Sequence, residues 1–314
     1  MARDNRKSKI INIIIYIFLI LMLLMVIFLI YMTYKKYNTE ITTNNSLNEE
    51  LVQVTDMYNE KSEANNKLKQ EIDDLKNIDN NIANAKNEVF RLAKELEQKI
   101  IKNESDKKIA YLTFDDGPYY ATHDFLNVLK KYKVKATFFT IGLDKETCFD
   151  NRSKKCHELY KKVVDGGHTI ANHTYSHLIF NGLYNNANNL ITQVKKQENL
   201  IKEKTGVTTN IFRFPGGSGT AKYYGVFNSA VNELRKNNYG WVDWSAANGD
   251  GGEPGTKAQA LSRFKDEINE DIEVVLFHDY NRVTLSMLPE AIEHLQNKGY
   301  ILLPLFYDSV KINK

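Results

Sequence analysis

Hydrophobic positions fall along this chain in three rhythms. Residues 10–32 are apolar almost without interruption, apart from Asn12 and a few tyrosines. A run of that length crosses a hydrocarbon core of about 30 Å as a helix. Between residues 35 and 105 the apolar positions thin to a stripe. Leu47, Leu51, Val54, Tyr58, Leu68, Ile72, Leu75, Ile82, Val89, Ala93, Leu96 and Ile100 recur at alternating steps of four and three, with Lys61, Asn65, Asp79 and Lys86 at the remaining seam positions. No proline or glycine interrupts the stretch. The spacing predicts one helix with a coiled-coil stripe, extending roughly 80 Å. It reads either as a spacer that pairs with a second copy or as a single helix whose stripe packs on its own domain.

From about Lys107 the rhythm changes again, and short β-prone runs alternate with amphipathic ones. Strands are predicted over 109–114, 136–139, 169–171, 211–214, 240–242 and 274–277. Helices are predicted over 122–131, 158–165, 186–203, 228–237, 257–269 and 288–298. Such alternation builds a parallel α/β sheet or barrel, a class whose catalytic groups gather at the C-terminal ends of strands. Asp115, Asp116, His173, Arg213, Asp243 and His278 stand at those predicted ends.

Charge orients the apolar run. Arg3, Arg6, Lys7 and Lys9 precede it, and Lys35 and Lys36 follow. The excess on the N-terminal side predicts a cytoplasmic N-terminus at 1–9, an anchor over 10–34, a helical stalk over 35–105 and a domain over 106–314 on the outer face. A cleaved signal peptide is the alternative, but its apolar region is normally shorter and ends in small residues. Cys148 and Cys156, the chain's two cysteines, suit an oxidising exterior as a disulfide, or else are free thiols. The net charge of +3 and the lack of a basic patch argue against a nucleic-acid partner.

Thr113-Phe114-Asp115-Asp116-Gly117 puts two adjacent carboxylates at a strand exit. One can bind a metal while its neighbour stays available as a base. His173-Thr174-Tyr175-Ser176-His177 places two imidazoles on one face if the segment is helical. With a carboxylate they make the ligand set of a divalent-metal hydrolase. Thr174 occupies the place of the base in a His-Glu-X-X-His protease and excludes that class. A ferrous oxygenase would leave Asp115, Arg213 and His278 unexplained. Arg213-Phe214-Pro215-Gly216-Gly217 offers a guanidinium to hold a carboxylate ionised. Asp243-Trp244 offers a carboxylate and a flat ring, and Leu276-Phe277-His278 an imidazole at the end of an apolar strand, placed to protonate a leaving group.

Taken in order, these five stretches resemble the polysaccharide deacetylases, the family-four carbohydrate esterases, over residues 105–310. The resemblance implies a distorted (β/α) barrel, here preceded by the transmembrane helix and the coiled-coil-like stalk. It implies a divalent metal, usually Zn2+ with Co2+ or another ion as alternatives, held by Asp116, His173 and His177. Asp115 would be the general base, oriented by Arg213, and His278 the general acid, tuned by Asp243. Trp244 and Leu276 would line the pocket for the acetyl methyl, and the Gly216 amide would face the oxyanion. Where the family often carries Arg-Pro-Pro and an aromatic, this chain has Phe214 and Gly216, so one wall of the sugar groove is absent. The expected substrate is peptidoglycan N-acetylglucosamine, with N-acetylmuramic acid or poly-N-acetylglucosamine as alternatives. A glycan-binding scaffold without catalysis is the reading from another class.

Overall fold

The computed structural model describes residues 46–142, 148, 155–252 and 255–314, together with six positions between 22 and 32. The anchor expected over 10–34 lies almost wholly outside the described residues. Among these, no helix is long and apolar enough to cross a membrane. The heptad stripe forms one helix, α1 (Ser46–Ile101). By packing, the chain divides within α1, between Val89 and Phe90. Among the described side chains from Met57 to that point the helix is largely exposed, with Leu68, Ile72, Leu75, Ile78 and Ile82 half-buried.

The second unit alternates strands and helices: β1 (Lys108–Asp115), α2 (Thr122–Lys131), β2 (Thr137–Thr140), α3 (His157–Asp165), β3 (Thr169–Asn172), a 3-10 turn (Ile179–Asn181), α4 (Ala187–Thr205), β4 (Ile211–Phe212), α5 (Gly217–Tyr223), α6 (Phe227–Lys236), β5 (Gly240–Trp241), β6 (Ala246–Ala247), α7 (Lys257–Glu267), β7 (Ile272–His278), α8 (Arg282–Asn297) and β8 (Tyr300–Leu303). All the strand pairs are parallel, in the order β5-β4-β3-β2-β1-β7-β6. β8 pairs with the first half of β1 and β2 with the second. The sheet is a curled half-barrel wrapped by its helices.

β1 shows why the interior is built as it is. Alternate side chains of a strand face opposite ways. Ala110, Leu112 and Phe114 enter one core, with Phe125, Val275, Phe277, Leu288 and Ile292. Ile109 and Tyr111 enter another, with Phe139, Ala171, Val274 and Leu305. A strand buried on both faces reads as a continuous apolar run, which is why β1 and β7 stand out in the sequence. Thr113 and Asp115 share the face of Tyr111, so the strand's own period aims a carboxylate into the barrel.

The last turns of α1 enter that same core. Ala93 and Ile100 are buried there, and Phe90 stacks on Phe306 with ring centroids 5.1 Å apart. Glu97 is fully buried and accepts hydrogen bonds from Tyr111 Oη (2.7 Å), Ser309 Oγ (2.6 Å) and Val310 N (3.1 Å).

Two helix starts depart from expectation. α8 begins at Arg282, where Asn281 Oδ1 accepts from the amides of Val283 and Thr284, so Pro289 lies inside the helix. A proline there usually marks a first turn, and 288–298 was the span the sequence suggested. α5 starts on the second glycine of the third motif and was not expected. Cys148 and Cys156 form a disulfide, buried against Leu159. Residues 149–154 between them lie outside the described residues.

Candidate active site

Parallel register sets two candidate catalytic residues side by side. Asp115 on β1 is the register partner of His278 on β7, and Thr113 of Leu276. Neighbouring strands run about 4.8 Å apart. A carboxylate and an imidazole at one level, on one face, therefore follow from pairing alone.

Arg213 reaches across the interior from the end of β4, completely buried. Its Nη1 donates to Asp115 Oδ1 (2.8 Å) and Thr113 Oγ1 (2.7 Å), and its Nε and Nη2 donate to the carbonyls of Val242 (3.2 Å) and Asp243 (3.0 Å). The guanidinium lies 4.1 Å from the centre of the Phe139 ring. A buried charge needs such complete pairing, and a guanidinium can donate in a plane to several acceptors. Asp115 thus keeps one oxygen on Arg213, while Oδ2 points toward the imidazoles, 3.6 Å from His173 Nε2.

Asp116, His173 and His177 converge. Their donor atoms lie within 4.8 Å of one another. Asp116 Oδ1 is 3.5 Å from His173 Nε2 and 3.2 Å from His177 Nε2. The route to this arrangement differs from the expected one, because residues 173–177 are not helical. Thr174 and His177 have φ of 68° and 53°, and Asp116 has 70°. Left-handed backbone at non-glycine residues costs of order 1–3 kcal/mol each and persists only where surroundings enforce it. Here Asn172 Oδ1 accepts from the Thr174 amide (2.9 Å) and Thr174 Oγ1 from the His177 amide (3.1 Å), a folded loop that turns both rings to one point.

The donor set fits a divalent cation. Two imidazoles and a carboxylate are the ligands of an open zinc site. His173 Nδ1 lies 2.8 Å from the Arg213 carbonyl, so it carries the proton and leaves Nε2 facing Asp116. Burial pushes the His173 pKa down to about 4, which keeps the ring neutral, as a ligand must be.

His278 is the opposite case. Burial by itself would lower its pKa. The hydrogen bond and charge of Asp250, with Asp116 and Asp115 beyond, outweigh that and raise it to about 9. Asp250 Oδ1 is 2.7 Å from His278 Nδ1, and its Oδ2 accepts from the His278 amide (2.9 Å) and from Thr284 Oγ1 (2.5 Å). His278 Nε2 points toward Asp116 Oδ2 at 3.8 Å. The ring is a protonated donor facing the cluster.

Asp243, expected to tune His278, is engaged elsewhere. Its carboxylate accepts from Ser218 N (2.9 Å) and Ser218 Oγ (2.5 Å), and its carbonyl accepts from Arg213. It ties α5 to the loop after β5, and Asp250 holds the histidine instead. Asp250 follows β6, a two-residue strand too short to register as a strand, in a run Asn248-Gly249-Asp250-Gly251-Gly252 that reads as a turn. Its glycine-rich setting after an alanine pair was the available signal. Leu276 is buried on β7, and Trp244 is 37% exposed, with its edge against Gly217. Gly216 precedes α5 with φ 72°.

Residues 102–235 match the family model for polysaccharide deacetylase. A peptidoglycan-N-acetylglucosamine deacetylase of Bacillus cereus is 30% identical over 203 residues, 63% of this chain and 69% of that protein. A bifunctional xylanase/deacetylase of Pseudobutyrivibrio xylanivorans is 31% identical over 63% of this chain, which spans only 30% of that longer protein. Among solved structures, the catalytic domain of a peptidoglycan N-acetylglucosamine deacetylase from Eubacterium rectale superimposes with a TM-score of 0.60 at 31% identity, covering 66% of this chain and 93% of that one.

Proposed function

Because the chain belongs to the polysaccharide deacetylase family, we propose that it removes acetyl groups from N-acetylglucosamine units of peptidoglycan in a metal-dependent hydrolysis. The observation that carries this reading is that Asp115 and His278 are register neighbours and both face the Asp116, His173 and His177 cluster, at 3.6 Å from His173 and 3.8 Å from Asp116. A divalent cation held by those three residues, zinc by preference, would polarise the acetamide carbonyl and acidify water. Asp115, fixed through one oxygen by Arg213, takes the water's proton on the other. The Gly216 amide faces the carbonyl oxygen as it becomes negative. His278, protonated against Asp250, gives its proton to the departing sugar amine. Trp244 and Leu276 border the acetyl methyl. The products are acetate and a glucosamine unit, whose free amine adds positive charge to the wall and changes its cleavage by lysozyme-type enzymes.

We place this domain on the outer face of the cell membrane, held by residues 10–34 and lifted by α1, whose stripe pairs two copies. The apolar run and its flanking charges support that placement. Acetate release from N-acetylglucosamine oligomers by the wild type, lost in Asp115→Asn, tests the chemistry. No release by the wild type would favour a binding scaffold. Mass spectrometry of wall fragments with and without the protein identifies the sugar that loses acetyl.

A further inference from the structure

The third motif closes in a tight turn. Gly217 N donates to Phe214 O (2.7 Å), and Gly216 has φ 72° and ψ 13°. Pro215 stands before it, and a proline ring forbids positive φ. Together these make a type II turn with Pro215 and Gly216 at its centre. Type II differs from type I chiefly in the central peptide, which is turned over by changes of about 150° in ψ of the first central residue and about 170° in φ of the second. Glycine accepts either sign of φ. Pro-Gly therefore leaves the plane of the 215–216 peptide free to turn, and a tertiary contact has to set it.

That contact comes from Tyr184, whose hydroxyl donates to Pro215 O (2.8 Å). The tyrosine is buried in one apolar cluster with Leu190, Phe212, Phe214 and Ala221, and its ring stacks on Tyr224. Burial, with the charge of Asp243, holds its pKa above the usual tyrosine range, so the hydroxyl stays a donor. The carbonyl and N–H of a trans peptide point in opposite directions. With the Pro215 carbonyl drawn into the core by Tyr184, the Gly216 N–H points out of it. Gly216 is exposed where Pro215 is buried. Its N–H meets no protein acceptor among the described residues. The position borders the histidine loop: a Cβ added there would stand 3.3 Å from Cδ1 of Ile179, two residues past His177.

We propose that Tyr184 is a positioning residue for the hydrolysis: its hydroxyl fixes the 215–216 peptide so that the Gly216 N–H is presented to the oxygen that gains charge. The inference rests on the deacetylase reading and adds to it a side chain that acts only through the backbone it holds.

The test compares wild type, Tyr184→Phe and Tyr224→Phe. Tyr184→Phe keeps the ring and leaves a buried carbonyl without its donor. One readout is kcat and KM for acetate release from N-acetylglucosamine oligomers. The other is calorimetry of the zinc-loaded protein with two probes: a glucosamine oligomer, and the same oligomer carrying one methylphosphonamidate, a tetrahedral anion in place of an acetamide. Tyr184→Phe should lower kcat and weaken phosphonamidate binding about five- to a hundredfold. The lower bound is the cost of a buried carbonyl left unpaired and the upper that of a lost oxyanion donor. KM and binding of the plain oligomer should stay within about twofold, because the contact matters in the transition state alone. Tyr224→Phe should match the wild type. A loss carried by KM, an equal loss in Tyr224→Phe, or no loss at all overturns the proposal. No acetate from the wild type would sink the deacetylase reading, and weaker phosphonamidate binding by Tyr184→Phe would then still keep the clamp. Acetate release with kcat and phosphonamidate binding unmoved by Tyr184→Phe would do the reverse.

Discussion

Replacing Asp250 with asparagine changes a charge and keeps the shape, which makes it the sharpest probe of His278. With the carboxylate in place the ring's pKa is raised to about 9, which favours the protonated form by about 3 kcal/mol over an ordinary histidine. That is the net after burial has pushed the other way, so Asp250, with Asp116 and Asp115 beyond, outweighs the desolvation cost of the charged ring. Take the charge and hydrogen bond of Asp250 away and burial is opposed only by the more distant Asp116 and Asp115. The pKa then falls to the ordinary 6.5 or below. At pH 8 about nine rings in ten are protonated at a pKa of 9, against about three in a hundred at 6.5. If the protonated ring is the general acid, kcat/KM for acetate release at that pH drops roughly thirtyfold, less at pH 6. The assay is a pH profile of kcat/KM: the alkaline limb should move to lower pH in Asp250→Asn. Asp243→Asn is the control, since that carboxylate rests on Ser218 and should leave the limb where it is. A limb unmoved by Asp250→Asn, or moved by Asp243→Asn instead, would refute the assignment.

Three other outcomes follow from the geometry. Asp116→Ala and His173→Ala should lose bound divalent cation in elemental analysis after dialysis, whereas Asp115→Asn should retain it. Arg213→Ala strands Asp115 in the barrel without its partner and should cost about 3–5 kcal/mol of stability, read as a lower unfolding midpoint. An unchanged midpoint would mean that the ion pair carries no such weight. Burial is the main cause that holds the Glu97 carboxyl above its usual pKa. The native state therefore binds more protons than the unfolded chain, and wild-type stability should fall as pH rises from the ordinary carboxylate range toward the folded value. Glu97→Gln should flatten that slope in denaturant titrations. Parallel slopes for the two proteins would contradict the role of burial.

Much of the domain could be read in the chain because parallel strands buried on both faces leave long apolar runs. β1 and β7 are of this kind, and their ends carry Asp115 and His278. What escaped was written in short or irregular backbone. β6 is two residues long, β8 is half covered, and the loop that brings His173 to His177 depends on side-chain-to-amide bonds from Asn172 and Thr174 rather than on a helical period. Periodicity finds faces, and it does not find a left-handed threonine. Asp250 escaped for the same reason, since a carboxylate in a glycine-rich turn looks like solvent-facing chain until the turn is seen folded over an imidazole. The stripe on α1 was legible, and packing on its own domain was one of its two readings; which turns do so, the last ones from Phe90, was not.

The burial of those last turns bears on how the protein can be cut. The family match begins at residue 102, one position beyond the end of α1. A fragment started there would discard Phe90, Ala93, Glu97 and Ile100 together, exposing the Phe306 ring and leaving the Tyr111 hydroxyl facing a hole. Tyr111 and Asp115 sit on one strand face, so damage at that lower rim would reach Asp115 through four residues of backbone. A soluble fragment that keeps its shape has to start upstream of Phe90, with a stub of the spacer helix retained as the plug of the domain beyond it.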